Sequence, residues 1–432
     1  MRLPVTLLAC FLLINGFVPA AHAQPRTDAF LANLLKANKS PIFQQVMQRP
    51  DEYRVQIIYT QIDRDKANRP TFTNYYFRVD STEYFNPAST VKLPLALLSL
   101  EKLNNLKNPR LTKFTAMQFD SAYSKQTKEW TDKTAESGFP SVAHLIRKAL
   151  LVSENDPYSR MYEFVGQQQI NRALHAKGYP DTRITHRFVR MNADENRHTN
   201  PVRFIDKDGS TIYAQPAAYN TDPFDFSRVA RLGNAHYAGD SLVKQPFDFT
   251  MRNKLPLESL QQILQSALFP ESVPEKQRFN LTADDYSFLY QYLSQTPGET
   301  NYPKYDPNIY YDSYVKFFFR DTLHHLPDGV RVFNKVGWAY GFLTDASYVA
   351  DFRNKVEYML SAVIYVNSDG VLNDDKYDDE TIGWPFLYQL GQTIYQHELT
   401  RKRTYKPDLS RFKVTYEKRR ADDRPTVKGV DN

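Results

Sequence analysis

The sequence predicts an α+β fold with an α/β sandwich-like arrangement. In this fold an antiparallel β-sheet is flanked by helices, and a mostly helical subdomain is joined to it. Two observations predict it. Runs of β-branched and aromatic residues form two strands near the start of the chain and three near its end. Apolar residues at helical spacing come before, between and after these strands. This order favours a single interleaved domain, in which one sheet is covered by helices.

The predicted elements follow one another along residues 24–400, which we interpret as one domain. The helices are predicted at 28–48 (with a break near Ser40-Pro41), 91–106, 142–151, 159–165, 168–177, 257–268 and 382–399, and the strands at 53–62, 72–79, 330–336, 344–352 and 356–366. Stretches dense in Pro, Asn, Asp and Tyr make residues 190–325 an enlarged, loop-rich insertion.

Composition and charge narrow the class of protein. The 432 residues are 41% hydrophobic and 24% charged, which is ordinary for a globular chain with a real core and excludes a disordered, collagen-like or disulfide-stapled protein. The whole chain has a net charge of +6. Residues 401–432 alone account for this charge, since they hold 11 Lys and Arg against 5 Asp and Glu. We therefore interpret 401–432 as a basic C-terminal tail, most simply a solvated extension, and expect no nucleic-acid partner.

The first 23 residues have the pattern of a secretory signal peptide. Arg2 precedes an apolar stretch, and Ala21-His22-Ala23 fits the small-x-small cleavage pattern. Cleavage there would remove Cys10, the only cysteine, so the mature protein would have no disulfide. We expect a bacterial protein that is periplasmic or secreted, with no membrane span and as a monomer.

Ser89 and Lys92 form a Ser-x-x-Lys motif at the start of a predicted apolar helix. This spacing puts a hydroxyl and an amine on one helix face, one turn apart. A serine nucleophile needs a base within hydrogen-bond reach, and a lysine whose pKa is lowered by burial or by another cation can serve. Ser89 stands out because it follows a strand pair directly, although four other serines share the spacing, namely Ser99, Ser241, Ser313 and Ser410.

Two further motifs follow in order along the chain. Ser153-Glu154-Asn155 lies between two predicted helices, and Lys335-Val336-Gly337 ends a predicted strand. Each alone has an ordinary explanation, since Ser and Asn before a Pro cap helices and a Lys beside a turn Gly is common on surfaces. Their occurrence together, each in a suitable setting, indicates a site for acyl transfer.

These three motifs, with a hairpin before them and two strands and a terminal helix after, resemble the class A β-lactamases and the penicillin-binding D,D-peptidases. The resemblance covers about residues 27–400 and is poorest in the insertion. It implies a serine hydrolase with the fold predicted above. In that case Ser89 would form an acyl-enzyme, Lys92 would take or relay its proton, and Ser153 would pass the proton to the leaving nitrogen.

The resemblance also implies how substrate would be held. Asn155 would bind the substrate amide, and Lys335 would lie beside Ser153 on the strand that ends in Gly337. The backbone N–H groups of Ser89 and Trp338 would form an oxyanion hole, in which each donor can contribute several kcal/mol to the transition state.

Some positions depart from the family pattern. Val336 stands where a Thr or Ser usually helps to hold the substrate carboxylate, Trp338 is bulkier than the usual residue, and Glu154 replaces an Asp. Class A enzymes deacylate through a loop Glu followed four residues later by Asn. Here the nearest candidate is Glu195, with Asn200 five residues on, although a charged, Asn-rich loop is also typical of a solvated turn.

We therefore predict hydrolysis of β-lactam amides by way of acyl-Ser89, on a small-molecule or peptidoglycan-like substrate. A peptidoglycan D,D-peptidase or an esterase is the enzymatic alternative, and a binding protein with little turnover is the alternative of another class. The sequence has no H-E-x-x-H motif and no cysteine cluster, so neither a metal nor another cofactor is expected.

Overall fold

The computed structural model describes residues 25–430, so the predicted signal peptide lies outside the described residues. The helices in this range are α1 (Ala29–Lys36), α2 (Pro41–Gln48), α3 (Lys92–Asn105), α4 (Val142–Leu151), α5 (Asn155–Val165), α6 (Gln167–Ala176), α7 (Ala193–Arg197), α8 (Leu257–Leu268), α9 (Ala283–Ser294) and α10 (Trp384–Thr400).

The strands are mostly short outside the central sheet. They are β1 (Gln56–Arg64), β2 (Pro70–Phe77), β3 (Ala116–Phe119), β4 (His198–Thr199), β5 (Val202–Ile205), β6 (Thr211–Gln215), β7 (Ala218–Tyr219), β8 (Arg231–Leu232), β9 (Ala235–Ala238), β10 (Ser241–Val243), β11 (Phe247–Asp248), β12 (Val330–Ala339), β13 (Phe342–Asp351), β14 (Val356–Tyr365) and β15 (Val371–Leu372).

A five-stranded antiparallel sheet in the order β12-β13-β14-β1-β2 forms the centre of the molecule. Strands β12 and β13 are joined by Tyr340 and Gly341, whose φ angles of 56° and 74° are those of a type I′ turn. This turn fixes the register that pairs Gly337 with Thr344. Because β12 is the first strand in the sheet order, it is an edge strand, and its free side faces the neighbouring helices.

Alternate side chains of the sheet enter two separate cores. Ile58 and Ile62 face a first core shared with α3, α4, α5, α8 and α9. Ile57 and Tyr59 face a second core shared with α1, α2 and α10. Helices cover both faces of one antiparallel sheet, which confirms the predicted fold class.

The insertion contains more structure than its composition predicts. Helix α8 has the predicted bounds, but α9 was not predicted, and both pack into the first core. The signal for α9 is a capping box, in which Thr282 accepts from the N–H of Asp285 and Asp285 accepts from that of Thr282. Within residues 190–325, the part that contains the short strands β4–β11 is therefore loop-rich as expected, whereas the part that forms α8 and α9 is not.

The interpretation of the C-terminal segment as a solvated extension is wrong. Leu409 and Phe412 are buried in the first core, where the Phe412 ring lies 4.8 Å from that of Tyr348. Farther on, Val427 forms a parallel bridge with Tyr305 in the insertion. The segment has apolar residues that pack into the core, although its composition is dominated by basic residues.

Among residues 25–430, none of the helices has both the length and the apolar character that a membrane crossing requires.

Candidate active site

Ser89 lies in a single 3₁₀ turn, Ala88–Val91, that runs directly into α3. The residue before it, Ala88, has a φ of 43°, a left-handed conformation that is strained for a residue with a Cβ atom. Ser89 is 8% exposed and Lys92, one turn farther on, is fully buried. The turn thus presents the hydroxyl group at a surface while the amine stays inside.

The side-chain nitrogen of Lys92 connects Ser89 with the two outer residues of the second motif, Ser153 and Asn155. Its Nζ lies 2.8 Å from Ser89 Oγ, 2.8 Å from Asn155 Oδ1 and 3.2 Å from Ser153 Oγ, and it is also hydrogen-bonded to the carbonyl oxygen of Ser153. The structure therefore brings together Ser89, Lys92 and the motif between α4 and α5, as the sequence predicts.

Ser153 reaches Lys92 because its backbone turns sharply. Its φ of 68° is left-handed, so both its carbonyl oxygen and its hydroxyl group face the lysine. The next residue, Glu154, points elsewhere, accepting a 2.7 Å hydrogen bond from Tyr305 and lying 3.2 Å from Lys148 Nζ. The middle residue of the motif therefore anchors the turn, and the outer two line the site.

Lys335 extends the hydrogen-bonded chain from β12. Its Nζ lies 2.8 Å from Ser153 Oγ and 2.8 Å from the carbonyl oxygen of Val336. Burial lowers the pKa of Lys335 to about 7; the carboxylate of Asp345 opposes this shift and the charge of Lys316 adds to it. Lys335 can therefore give and take a proton near neutral pH, next to Ser153.

A buried polar network lies behind Lys335, and no sequence motif predicted it. Lys316 Nζ donates to Asn334 Oδ1 at 2.6 Å, and Asn334 donates from Nδ2 to Asp345 Oδ1 at 2.9 Å. Burial raises the pKa of Asp345 to about 7 and lowers that of Lys316 to about 7. Lys316 belongs to one of the competing Ser-x-x-Lys matches, and the structure places it behind the sheet.

Gly337 allows β12 to pack against the turn that carries Ser89. A Cβ atom added at Gly337 would lie 2.5 Å from the carbonyl oxygen of Pro87 and 3.0 Å from the backbone nitrogens of Ser89 and Thr90. Only a residue without a side chain fits such an approach. The glycine of the third motif therefore has a steric role that the structure defines.

The register of β12 directs the N–H group of Trp338 away from β13. Ala339 and Phe342 flank the two-residue turn, so they form a hydrogen-bonded pair and the adjacent pair of Trp338 with Leu343 does not. That N–H group faces the open edge of β12, on the side where the turn of Ser89 packs.

The side chains of Trp338 and Val336 pack against other residues of the fold. The indole ring of Trp338 lies 5.7 Å from the ring of Phe317, and the side chain of Val336 is buried in the second core.

Ser89 opens into a cavity of about 340 Å³. The cavity is bordered by the Ser89 turn, the start of α5, the end of β12, and the segments around residues 186–190 and 252. Within residues 25–430 no Asp or Glu lines it, whereas Arg190 and Arg252 do; Arg187 also borders it, but its guanidinium is buried and lies 3.2 Å from Glu163. The lining is therefore positively charged. A second cavity, of about 370 Å³, contains none of the motif residues.

Glu195 is not among the residues that line this cavity. Its carboxylate closes a capping box at α7 by accepting from the N–H of Asn192 at 2.7 Å, and it also binds Ser124 and Lys125, each at 3.1 Å. The bond from Asn192, together with Lys125, lowers the pKa of Glu195. Asn200 binds the carbonyl oxygen of Asp120 at 2.8 Å instead. The structure therefore does not bring Glu195 to the cavity of Ser89, and both Glu195 and Asn200 have local structural partners.

Among the cavity residues that were not predicted from the sequence, three lie where they could contribute to the site. The ring of Phe188 lies 5.3 Å from Lys92 Nζ and stacks on Tyr158 at 4.2 Å. His186 and Arg252 line both this cavity and a neighbouring one of about 280 Å³. None of the three belongs to a spaced motif, so only the fold brings them to the site. Among the described residues, no group of three or more His, Cys, Asp or Glu side chains could hold a metal ion.

Comparison with known proteins supports the resemblance seen in the motifs. Residues 42–226 match the model of the Beta-lactamase enzyme family, a stretch that includes Ser89, Lys92 and the Ser153-Glu154-Asn155 motif. No curated protein matches the chain. The resemblance to the serine β-lactamase and penicillin-binding superfamily is thereby confirmed over this stretch.

Solved structures with a similar arrangement include β-lactamases from three bacteria. That from Desulfarculus baarsii is 15% identical, with 85% of this chain and 99% of that chain covered and a TM-score of 0.43. That from Streptosporangium roseum is 15% identical, with 82% and 98% covered and a TM-score of 0.44. That from Xanthomonas campestris is 13% identical, with 84% and 98% covered and a TM-score of 0.46.

Proposed function

We propose that the protein is an exported serine hydrolase that forms an acyl-enzyme on Ser89, with β-lactam amides as its substrates. The observation that carries the proposal is the continuous chain of polar atoms from Ser89 Oγ through Lys92 Nζ and Ser153 Oγ to Lys335 Nζ. Every link is 3.2 Å or shorter, and the chain ends at a cavity large enough for a small molecule.

The geometry supports a complete acylation step. Neutral Lys92 takes the hydroxyl proton as Ser89 Oγ bonds to the carbonyl carbon of the lactam. The N–H groups of Ser89 and Trp338 stabilise the oxyanion, and each such donor is worth about 3–4 kcal/mol in comparable sites. The C–N bond then breaks, the ring nitrogen takes the proton of Ser153 Oγ, and Ser153 recovers a proton from Lys92, directly or by way of Lys335, so that Lys92 is neutral again.

The charge of the cavity favours anionic substrates. Arg190 is exposed and Arg252 is half-buried, and both line the cavity beside Ser89. Because Val336 cannot donate a hydrogen bond and its side chain is buried in the second core, the usual donor to a substrate carboxylate is missing. We propose that Arg252, supplied by the insertion, binds this carboxylate instead.

The intact mass of the mature protein, followed over time after addition of a penicillin, tests the proposal. We expect a covalent adduct that forms, decays and leaves hydrolysed penicillin. Ser89→Ala should form no adduct, whereas Ser241→Ala, at an exposed serine with the same Ser-x-x-Lys spacing, should behave like the wild type. If the wild type forms neither adduct nor product, the β-lactam assignment is wrong.

A second candidate function is a peptidoglycan D,D-peptidase, and one observation favours it. Among the described residues that line the cavity there is no carboxylate to activate water, so a β-lactam adduct would decay slowly. An adduct that persists for hours, together with cleavage of a peptide ending in D-alanyl-D-alanine, would favour the peptidase. Rapid release of hydrolysed penicillin would favour the β-lactamase.

A further inference from the structure

Hydrolysis of an ester on Ser89 requires a group that takes a proton from the attacking water. The sequence suggested Glu195, but that carboxylate is bound to Asn192, Ser124 and Lys125. No Asp or Glu of the described residues lines the cavity. If acyl-Ser89 is hydrolysed at this site, the base must be of another residue type.

His186 lines the same cavity as Ser89 and is held firmly by its backbone. Its N–H donates to Asn253 Oδ1 at 3.1 Å, and its carbonyl oxygen accepts from the hydroxyl group of Tyr158 at 2.9 Å. Asn253 Nδ2 also donates to that carbonyl oxygen, at 3.3 Å. Two buried side chains therefore fix the main chain of His186 beside the cavity.

The hydrogen bond of the imidazole ring sets its tautomer. Nδ1 lies 2.8 Å from the carbonyl oxygen of Arg187, which can only accept, so Nδ1 carries the proton. The lone pair of the neutral ring is then on Nε2. None of the hydrogen bonds formed within residues 25–430 involves this atom, which leaves it able to accept a proton from water.

The surroundings of His186 keep the ring neutral. Burial lowers its pKa to about 4; the bond to Arg187 opposes the shift and the charge of Arg252 adds to it. Such a group is about as basic as an ordinary glutamate, whose pKa is about 4.3. A carboxylate in this place would pair with Arg252, whereas a neutral imidazole leaves that arginine available to substrate.

We propose that His186 is the general base that hydrolyses acyl-Ser89, an inference that rests on the proposed function. Nε2 takes a proton from water as the water oxygen bonds to the ester carbon. The tetrahedral intermediate then loses the bond between this carbon and Ser89 Oγ. The proton that His186 took from the water passes through solvent to neutral Lys92, which lies 2.8 Å from Oγ and relays it to that oxygen. One water is consumed, one carboxylic acid leaves, and all three side chains return to their starting state.

The test is a comparison of acylation and deacylation rates in His186→Asn and the wild type. The asparagine amide can still donate to the Arg187 carbonyl oxygen, but it has no basic nitrogen. After a short exposure to penicillin and removal of the excess, intact mass follows the decay of the adduct. We expect the adduct to last about 100-fold longer or more in His186→Asn, the usual effect of removing a general base, with acylation within about threefold of the wild type.

His175→Asn is the matched control. The ring of His175 also donates to a backbone carbonyl oxygen, that of Thr182 at 2.8 Å, but it lines the other large cavity and not the one at Ser89. Its adduct should decay at the wild-type rate. Equal decay in wild type and His186→Asn would overturn the role of His186 while leaving acylation of Ser89 standing. Absence of any adduct in the wild type would overturn both.

A second variant protects the test against a folding defect. His186→Ala leaves space for free imidazole, so added imidazole should speed decay of its adduct while leaving the wild type and His175→Asn unchanged. If His186→Ala forms the adduct and imidazole has no effect on its decay, the ring is not acting as the base. Unchanged thermal unfolding of both His186 variants shows that the altered rates do not arise from loss of structure.

Discussion

Tyr305 donates a 2.7 Å hydrogen bond from its hydroxyl group to Glu154, the middle residue of the Ser153-Glu154-Asn155 motif. Tyr305 is fully buried and belongs to the insertion, and Val427 of the C-terminal segment pairs with its backbone. Two parts of the chain that the sequence separates from the site are thus connected to the turn that carries Ser153.

Tyr305→Phe tests this connection. Removing the hydroxyl group leaves Glu154 with one bond fewer in a buried place, which costs about 1–3 kcal/mol of the free energy of unfolding. We expect urea unfolding to show a loss in that range and acylation of Ser89 by penicillin to slow severalfold. Tyr405→Phe, at a tyrosine that is 43% exposed, should change neither quantity.

Gly337→Ala should block acylation. The new methyl group would lie 2.5 Å from the carbonyl oxygen of Pro87 and would force the Ser89 turn away from β12. We expect acylation to fall by about 100-fold or more, since each oxyanion donor contributes that much, and stability to fall by about 1–3 kcal/mol. Gly298→Ala is the control, because its added Cβ would meet Asp312 Oδ1 at 3.4 Å. Normal acylation by Gly337→Ala would contradict the packing argument.

Lys335 should make substrate affinity depend on pH. Burial holds its pKa at about 7, so its positive charge is present below that pH and is lost as the pH rises through it. The apparent affinity for a penicillin carboxylate should therefore fall severalfold between pH 6 and 8. Lys335→Arg keeps its charge over this range and should flatten the dependence. Stopped-flow acylation at several penicillin concentrations gives the affinity at each pH, and identical pH profiles for the two proteins would exclude Lys335 as the source.

Arg252→Gln should distinguish charged from neutral acyl donors. A charged hydrogen bond contributes about 1.5–3 kcal/mol, so acylation by a penicillin should slow by about 10- to 150-fold. The methyl ester of the same penicillin, which has no carboxylate, should react with both proteins at nearly equal rates. Arg231→Gln, which removes an exposed arginine 3.3 Å from Asp248, is the control. Equal slowing for the acid and the ester would show that Arg252 does not bind the carboxylate.

Phe412→Ala measures how far the C-terminal segment belongs to the core. A buried Phe replaced by Ala costs about 3–5 kcal/mol, and urea unfolding should show a loss of this size. Lys413→Ala, at the exposed neighbour, should change the free energy of unfolding by less than about 0.5 kcal/mol. Similar small effects of both variants would mean that the segment is not part of the core in solution.

The sequence predicts best what depends on neighbouring residues. Ser89 and Lys92 are one helical turn apart, so their proximity follows from local structure alone. Ser153 and Lys335 are distant in the chain, and only the resemblance to a known family joined them in advance. The structure brings these four side chains together at distances of 2.8–3.2 Å.

What the sequence does not predict is set by the tertiary fold. Glu195 has the residue type of a base, but a capping partner three residues before it holds its carboxylate locally. His186 and Arg252 belong to no motif and reach the cavity from separate segments. The core positions of Leu409 and Phe412 are hidden by the basic residues around them.

The place of Phe412 in the first core has a consequence for biosynthesis. Strand β1 pairs with β14, about 300 residues later in the chain, and the core beneath them includes Leu409 and Phe412. A polypeptide growing from its N-terminus can therefore form isolated helices and hairpins, but it cannot close its core until nearly all of it has been synthesised. Folding is in this sense an event of the finished chain, and a message truncated shortly before codon 412 would yield a polypeptide without a closed core.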